Sequence, residues 1–132
     1  MTDMPRGLRV LVVEDQEDAR EALRLLLESW SCAVDTASDG AEALRLALHG
    51  HYDAVILDLN IPHIDGLEVG RAVAQKSPRP YLCAYSAFAG PLDRERTRVA
   101  GFDRHIAKGS PASIFELETL MNQLRVQLCP EL

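Results

Sequence analysis

The chain has 132 residues, 47% hydrophobic and 26% charged, with a formal net charge of −6. That length suits one domain, and a domain near this size buries roughly 68–70% of the surface its unfolded chain exposes, enough for a core without staples. The acidic balance and the scattered arginines argue against nucleic acid or an anionic membrane surface as the main partner, because both reward clustered basic charge.

Residues 8–13, LRVLVV, are a short apolar, β-branched run that predicts a buried strand. Residues 16–30, QEDAREALRLLLESW, place Ala19, Ala22, Leu23, Leu26 and Leu27 on one face at helical spacing. AVDTA at 33–37 reads as a weaker, edge-like strand. After Asp39-Gly40, residues 41–50 form a second helix closed by Gly50. YDAVILD at 52–58 is the next buried strand, and 66–76 is helical in pattern, with Pro78 and Pro80 beyond it.

PYLCAYS at 80–86 predicts a fourth strand. Residues 92–101, LDRERTRVAG, form a polar helix with few apolar anchors; Arg94, Arg96 and Arg98 read as its solvated face. FDRHIAK at 102–108 is a fifth strand. Ser110-Pro111 can cap and open a last helix over about 112–128, with Ile114, Leu117, Leu120, Met121 and Leu124 as its apolar stripe. The whole chain, 1–132, is expected to be one domain with its core at about 8–128, and no output domain is visible after it.

Cys32, Cys83 and Cys129 are an odd number with no C-x-x-C pair, so reduced thiols are expected in place of a disulfide framework or a zinc site. The opening MTDMPRGLRV lacks an apolar stretch of signal-peptide length, and no run approaches the roughly 20 residues that span a bilayer. A cytoplasmic protein without membrane insertion is the expectation.

Strands that are apolar throughout, and do not alternate, are buried on both faces, which implies a parallel sheet. Right-handed crossovers then give an α/β fold with a doubly wound five-stranded sheet in three layers. Ligands of such folds bind beyond the carboxyl ends of the strands. At those ends stand Glu14-Asp15, Asp58, Ser86 and Lys108. Each has a bland alternative: Glu14 and Asp15 could cap the next helix, Asp58 could open an Asx turn, Ser86 could be a turn hydroxyl, and Lys108 could be a solvated lysine. The bland reading must hold independently at every strand end. Three converging carboxylates repel one another unless a cation joins them. A hard, oxygen-seeking ion such as Mg²⁺ suits them, and a carboxylate can serve as a nucleophile toward phosphorus.

In VLVVEDQEDAREAL, AVILDLNIPHIDGLEV, CAYSA and GFDRHIAK, taken in order, the chain resembles the receiver domain of bacterial two-component response regulators over about residues 8–128. The resemblance implies a flavodoxin-like sheet of order 2-1-3-4-5. It implies that Asp58 accepts a phosphoryl group from a histidine kinase's phosphohistidine, as a signalling module and not a metabolic enzyme. Asp15, Asp58 and the backbone carbonyl of Asn60 would bind Mg²⁺, with Glu14 acting largely through water. Lys108 would pair with the carboxylate and then with the phosphoryl group, and Ser86 would donate a hydrogen bond to it. Pro62 and Gly66 would shape the loop after the third strand. The surface of the fourth helix, fifth strand and fifth helix would then change its partners.

Two departures stand out. The family's aromatic switch position falls on His105, which reads either as a switching imidazole or as a partly exposed histidine without that role. The proline that usually follows the lysine is Gly109, which predicts a trans bond or an altered loop there. Two other functions compete. A phosphatase of the haloacid dehalogenase type would want a second Asp where Asn60 stands. A phosphate-independent receiver-like adaptor is disfavoured by the complete acidic cluster.

Overall fold

A computed structural model of the chain describes residues 7–61 and 63–128. Pro62 and Cys129 therefore lie outside the described residues. The elements alternate: β1 (Arg9–Val13), α1 (Glu17–Ser29), β2 (Ala33–Ala37), α2 (Gly40–His49), β3 (Ala54–Leu57), α3 (Gly66–Ala74), β4 (Tyr81–Ser86), α4 (Pro91–Ala100), β5 (Arg104–Ala107) and α5 (Pro111–Leu128). All four strand pairings are parallel and the order is β2-β1-β3-β4-β5, as expected for a doubly wound flavodoxin-like sheet.

The strand sequences explain the three layers. Val10, Val12, Ile56, Cys83 and Ile106 face one side, where α1 and α5 supply Leu23, Leu27, Leu117, Leu120, Met121 and Leu124. Leu11, Val13, Val55, Leu57 and Leu82 face the other, against Ala43, Ala47, Val69, Val73, Ala100 and Phe102. Successive side chains of a strand point to opposite faces, so a strand covered on both sides must be apolar at every position. β2 shows the contrast: it lies at the edge, and only Ala37 of its five residues is buried.

Helix starts follow the capping rules. Asp39 Oδ1 accepts from the Glu42 amide at 2.8 Å, and Asp65 Oδ1 accepts from the Leu67 amide at 2.7 Å. Pro91 opens α4, and Asp93 accepts from the Gly90 amide. Ser110 accepts from the Ala112 amide through Oγ, so it caps α5 as expected.

Gly50 does close α2 as expected, in an extended conformation with φ −95°; a β-carbon there would sit 2.8 Å from the Tyr52 ring, so close approach explains the glycine. Some expectations are corrected. Ile114 is 43% exposed and Ala22 is exposed, so neither belongs to a buried stripe. Ser113 takes the inward position on the first turn of α5 instead, within 3.4 Å of the Tyr85 hydroxyl. Cys32 and Cys83 are free and buried, and burial pushes the Cys83 thiol up to about 12. No described helix is long and apolar enough to cross a membrane.

Candidate functional site at the carboxyl edge of the sheet

Because the strands are parallel, all their carboxyl ends share one edge. Ladder bonds carry the chain one residue past β1 and β3. The Glu14 amide donates to Ala37 O at 3.1 Å, and the Asp58 amide donates to Val13 O at 3.0 Å. Both carboxylates are therefore placed by backbone that is still sheet-bonded. Glu14 and Asp58 are buried, at 4% and 8% exposure, while Asp15 is exposed. Carboxylate oxygens of Glu14, Asp15 and Asp58 lie within 4.8 Å of one another.

One ammonium faces these three acids. Lys108 Nζ donates to Asp58 Oδ2 at 3.0 Å and makes a tight ion pair with Glu14 Oε1. Burial works against the charged lysine, but its hydrogen bonds to Glu14 and Asp58 outweigh that and hold its pKa above the ordinary value. β5 delivers this lysine: the Lys108 amide donates to Ser86 O at 2.9 Å, tying the ends of β4 and β5 together. The pairing with Glu14 is a feature the sequence reading missed, since it assigned Lys108 to Asp58 alone. Nothing in a linear sequence signals which of two acids a lysine from another strand will reach.

The bland roles and the convergence coexist. Asp58 Oδ1 accepts from the Asn60 amide at 3.1 Å, the geometry of an Asx turn, which holds Asn60 beside the carboxylate. Glu14 Oε2 accepts from the Gln16 amide at 3.1 Å. Ser86 is fully buried, and its Oγ accepts from the Phe88 amide at 3.1 Å. These local bonds orient the side chains without using up the acids. Gly66 is needed here: a β-carbon would lie 2.6 Å from Leu59 Cα and 2.9 Å from Asp58 O, so α3 starts directly against the peptide of the central aspartate.

The donor set fits a hard divalent cation: carboxylate oxygens only, close together, with three negative groups against one positive. His49 and His51 take no part in any such cluster among the described residues. The Lys108–Gly109 bond is trans, as expected for a non-proline residue, since Ser77–Pro78 is the cis bond found among the described residues. Gly109 adopts φ +88° with open space around it, so the lysine is followed by a left-handed turn.

His105 departs from one of its two expected readings. It is buried, not partly exposed. Its Nε2 lies 3.0 Å from Phe88 O and its Nδ1 lies 3.1 Å from Thr97 Oγ1. Burial, and then the charge of Arg94, lower its pKa. Arg94 is exposed, as expected of a solvated face, and its guanidinium also donates to the carbonyls of Ala89 and His105, at 2.8 and 2.9 Å. Thr97 and Ala100 are the residues α4 buries; an isolated threonine in a polar helix gave no warning of this.

Comparison with known proteins places these features in context. The family model described as the response regulator receiver domain matches residues 10–122. The transcriptional regulatory protein ResD of Bacillus subtilis is 35% identical over 106 residues, covering 80% of this chain and 44% of that protein. The chain spans about half the length of the curated relatives it matches. The response regulator TrrA of Thermotoga maritima, solved with Mg²⁺ and BeF, is 32% identical with a TM-score of 0.78, covering 89% of this chain and 98% of that one. The receiver domain of the sensor histidine kinase PA1611 of Pseudomonas aeruginosa, solved with magnesium in its active-site cleft, is 28% identical with a TM-score of 0.79, covering 90% of this chain and 98% of that one.

Proposed function

This chain belongs to the response regulator receiver domain family, and from that premise we propose that residues 1–132 are a single phosphoacceptor signalling domain that takes a phosphoryl group onto Asp58. The observation that carries the reading is the packing of Glu14, Asp15 and Asp58 within 4.8 Å around one lysine. Asp15, Asp58 and the Asn60 carbonyl are assigned to Mg²⁺, with Glu14 behind them. The magnesium-bearing relatives support that assignment. When bound, the ion supplies neutralisation of the acids and of the phosphoryl oxygens.

The chain's own residues do the rest. A carboxylate oxygen of Asp58 forms a bond to phosphorus while the donor's P–N bond breaks, and that electron pair leaves on the donor's imidazole nitrogen. Lys108, already on Asp58 and Glu14, is placed to follow the negative charge onto the new phosphoryl group. Ser86, whose Oγ accepts from Phe88, keeps its own proton for a phosphoryl oxygen. In a separate step, water attacks phosphorus, the bond from phosphorus to the Asp58 oxygen breaks, and inorganic phosphate leaves; this makes the domain its own slow phosphatase without making it a metabolic enzyme.

The donor is assigned as a histidine kinase. A mostly apolar groove of about 220 Å³ supports this: Ala19, Ala22, Leu23 and Leu26 of α1 face Tyr85 and Ile114 across it, with Lys108 among its lining residues. A helix carrying a phosphohistidine could lie there with its imidazole over the acids. The downstream partner is assigned to the α4-β5-α5 surface.

The test is incubation with Mg²⁺ and acetyl phosphate or phosphoramidate, comparing wild type with Asp58→Asn. Wild type gains an acid-labile phosphate and the variant does not. A wild type that stays unmodified overturns the reading in favour of a phosphate-independent adaptor. Repeated turnover on ordinary phosphomonoesters overturns it in favour of a phosphatase.

A further inference from the structure

The corner between β4, α4 and β5 holds a hydrogen-bond arrangement that the acceptor chemistry does not require. Phe88 is pinned from both sides: its amide donates to Ser86 Oγ at 3.1 Å, and its carbonyl takes His105 Nε2 at 3.0 Å. A carbonyl only accepts, so Nε2 carries a proton. In a neutral ring Nδ1 must then accept, and its partner is Thr97 Oγ1 at 3.1 Å. Thr97 has one proton, and Arg94 O, at 3.0 Å, competes for it. A neutral His105 thus leaves one of these contacts without a proton. A protonated ring satisfies all three at once, with Nδ1–H donating to Oγ1 and the hydroxyl donating to Arg94 O.

Hydrogen bonding therefore favours proton uptake, and two things oppose it. The ring is buried, and the Arg94 guanidinium sits on the carbonyl of His105 itself. Among the described residues Arg94 and Asp93, both of α4, are the charged groups acting on the ring, Arg94 against the imidazolium and Asp93 in its favour. From β4 the residue in register is Ala84, and the loop offers the backbone of Phe88. When the ring gains a charge, either it or Arg94 must yield. The ring is held at both nitrogens inside the corner; Arg94 is an exposed side chain with solvent beside it.

We propose that His105 is a proton-operated latch: a proton on its ring drives the Arg94 guanidinium off the carbonyls of Ala89 and His105, so the β4–α4 loop and the α4 surface respond to pH as well as to chemistry at Asp58. The loop in question begins just after Ser86, and Ser86 and the latch hold the two adjacent peptides on either side of Phe88. Release of Arg94 thus acts on the same loop that the acceptor site touches. The latch does not depend on the phosphoacceptor reading, because it is defined in the unphosphorylated protein.

The experiment is an NMR titration of the unphosphorylated protein from about pH 7.5 to about pH 5, spanning the range in which histidine changes charge. It follows the His105 ring carbon signals and the Arg94 Nε–H cross-peak together. The expected result is one transition: the Arg94 signal moves and its protection from solvent exchange falls by a factor on the order of three to ten, in step with the His105 ring. In His105→Phe the Arg94 signal stays flat across the range. In Arg94→Gln, a surface change that leaves the fold intact, the His105 midpoint moves up. A His105 ring that stays neutral until acid unfolding overturns the proposal. So does an Arg94 signal that titrates equally in His105→Phe, or a midpoint unmoved in Arg94→Gln.

Discussion

The acidic rim and the His105 corner lie at the same edge of the sheet but are built on opposite principles. At the rim, Glu14, Asp15 and Asp58 crowd one another, and Lys108 pairs with two of them, Glu14 and Asp58. At the corner, the His105 ring is held between the Phe88 carbonyl and the Thr97 hydroxyl, its own carbonyl takes the Arg94 guanidinium, and Thr97 and Arg94 reach on to the carbonyls of Arg94 and Ala89. The rim stores electrostatic tension that a cation relieves. The corner stores position, and a single proton can redistribute it. The difference teaches where each region is vulnerable: charge changes break the first, while changes in hydrogen-bond count break the second.

The largest effect is expected from Lys108→Ala, which removes the cation paired with Glu14 and Asp58. Phosphate uptake from acetyl phosphate should fall on the order of a hundredfold, the usual cost of losing a charge-stabilising group in acyl or phosphoryl transfer, measured as acid-labile phosphate formed per minute. The same change at the corner, Arg94→Ala, should leave that rate within about twofold, because Arg94 touches carbonyls and not the acids. Equal losses in both variants would erase the distinction between the two regions.

Gly66→Ala probes how firmly the rim is seated. The added carbon would press on Leu59 and on the carbonyl of Asp58. A loss of about 1–3 kcal/mol is expected, read from urea unfolding, together with slower phosphate uptake. Gly109→Ala should cost about 1–2 kcal/mol through its left-handed φ alone, with Gly109→Asn milder because asparagine tolerates that region.

Ala22→Glu separates donor docking from chemistry. A charge in the groove of α1 should slow transfer from a phosphorylated kinase by roughly tenfold while leaving transfer from acetyl phosphate unchanged, since only the protein donor needs the surface.

The subtlest prediction concerns pH. Burial, then Arg94, depress the His105 pKa below its unfolded value near 6.5. The unfolded chain then binds the proton first as the pH falls. The stability that goes with the neutral ring is fully present above that unfolded value and is lost as the pH falls through the depressed folded one. Unfolding midpoints of wild type should decline over that window relative to His105→Phe. Lys108 has the opposite sign: its raised pKa keeps its contribution present below the unfolded lysine value near 10.4, lost only as the pH rises through the folded one. Parallel wild-type and His105→Phe curves in the acid range would remove the His105 ring as a source of acid sensitivity.

The alternation of elements, the parallel sheet and the gathering of Glu14, Asp15, Asp58 and Lys108 at one edge were legible in the linear chain. Apolar runs reveal burial on both faces, and parallel strands send every carboxyl end to one edge, so topology alone gathers those residues. The depth of His105, the turn of Arg94 toward backbone, the sharing of Lys108 between two acids and the exposure of Ile114 were decided only in three dimensions. Each depends on how far one element lies from another that is remote in sequence, and on carbonyls that every residue possesses alike. A side chain's charge and size are written in its letter, but the backbone group it will meet is not.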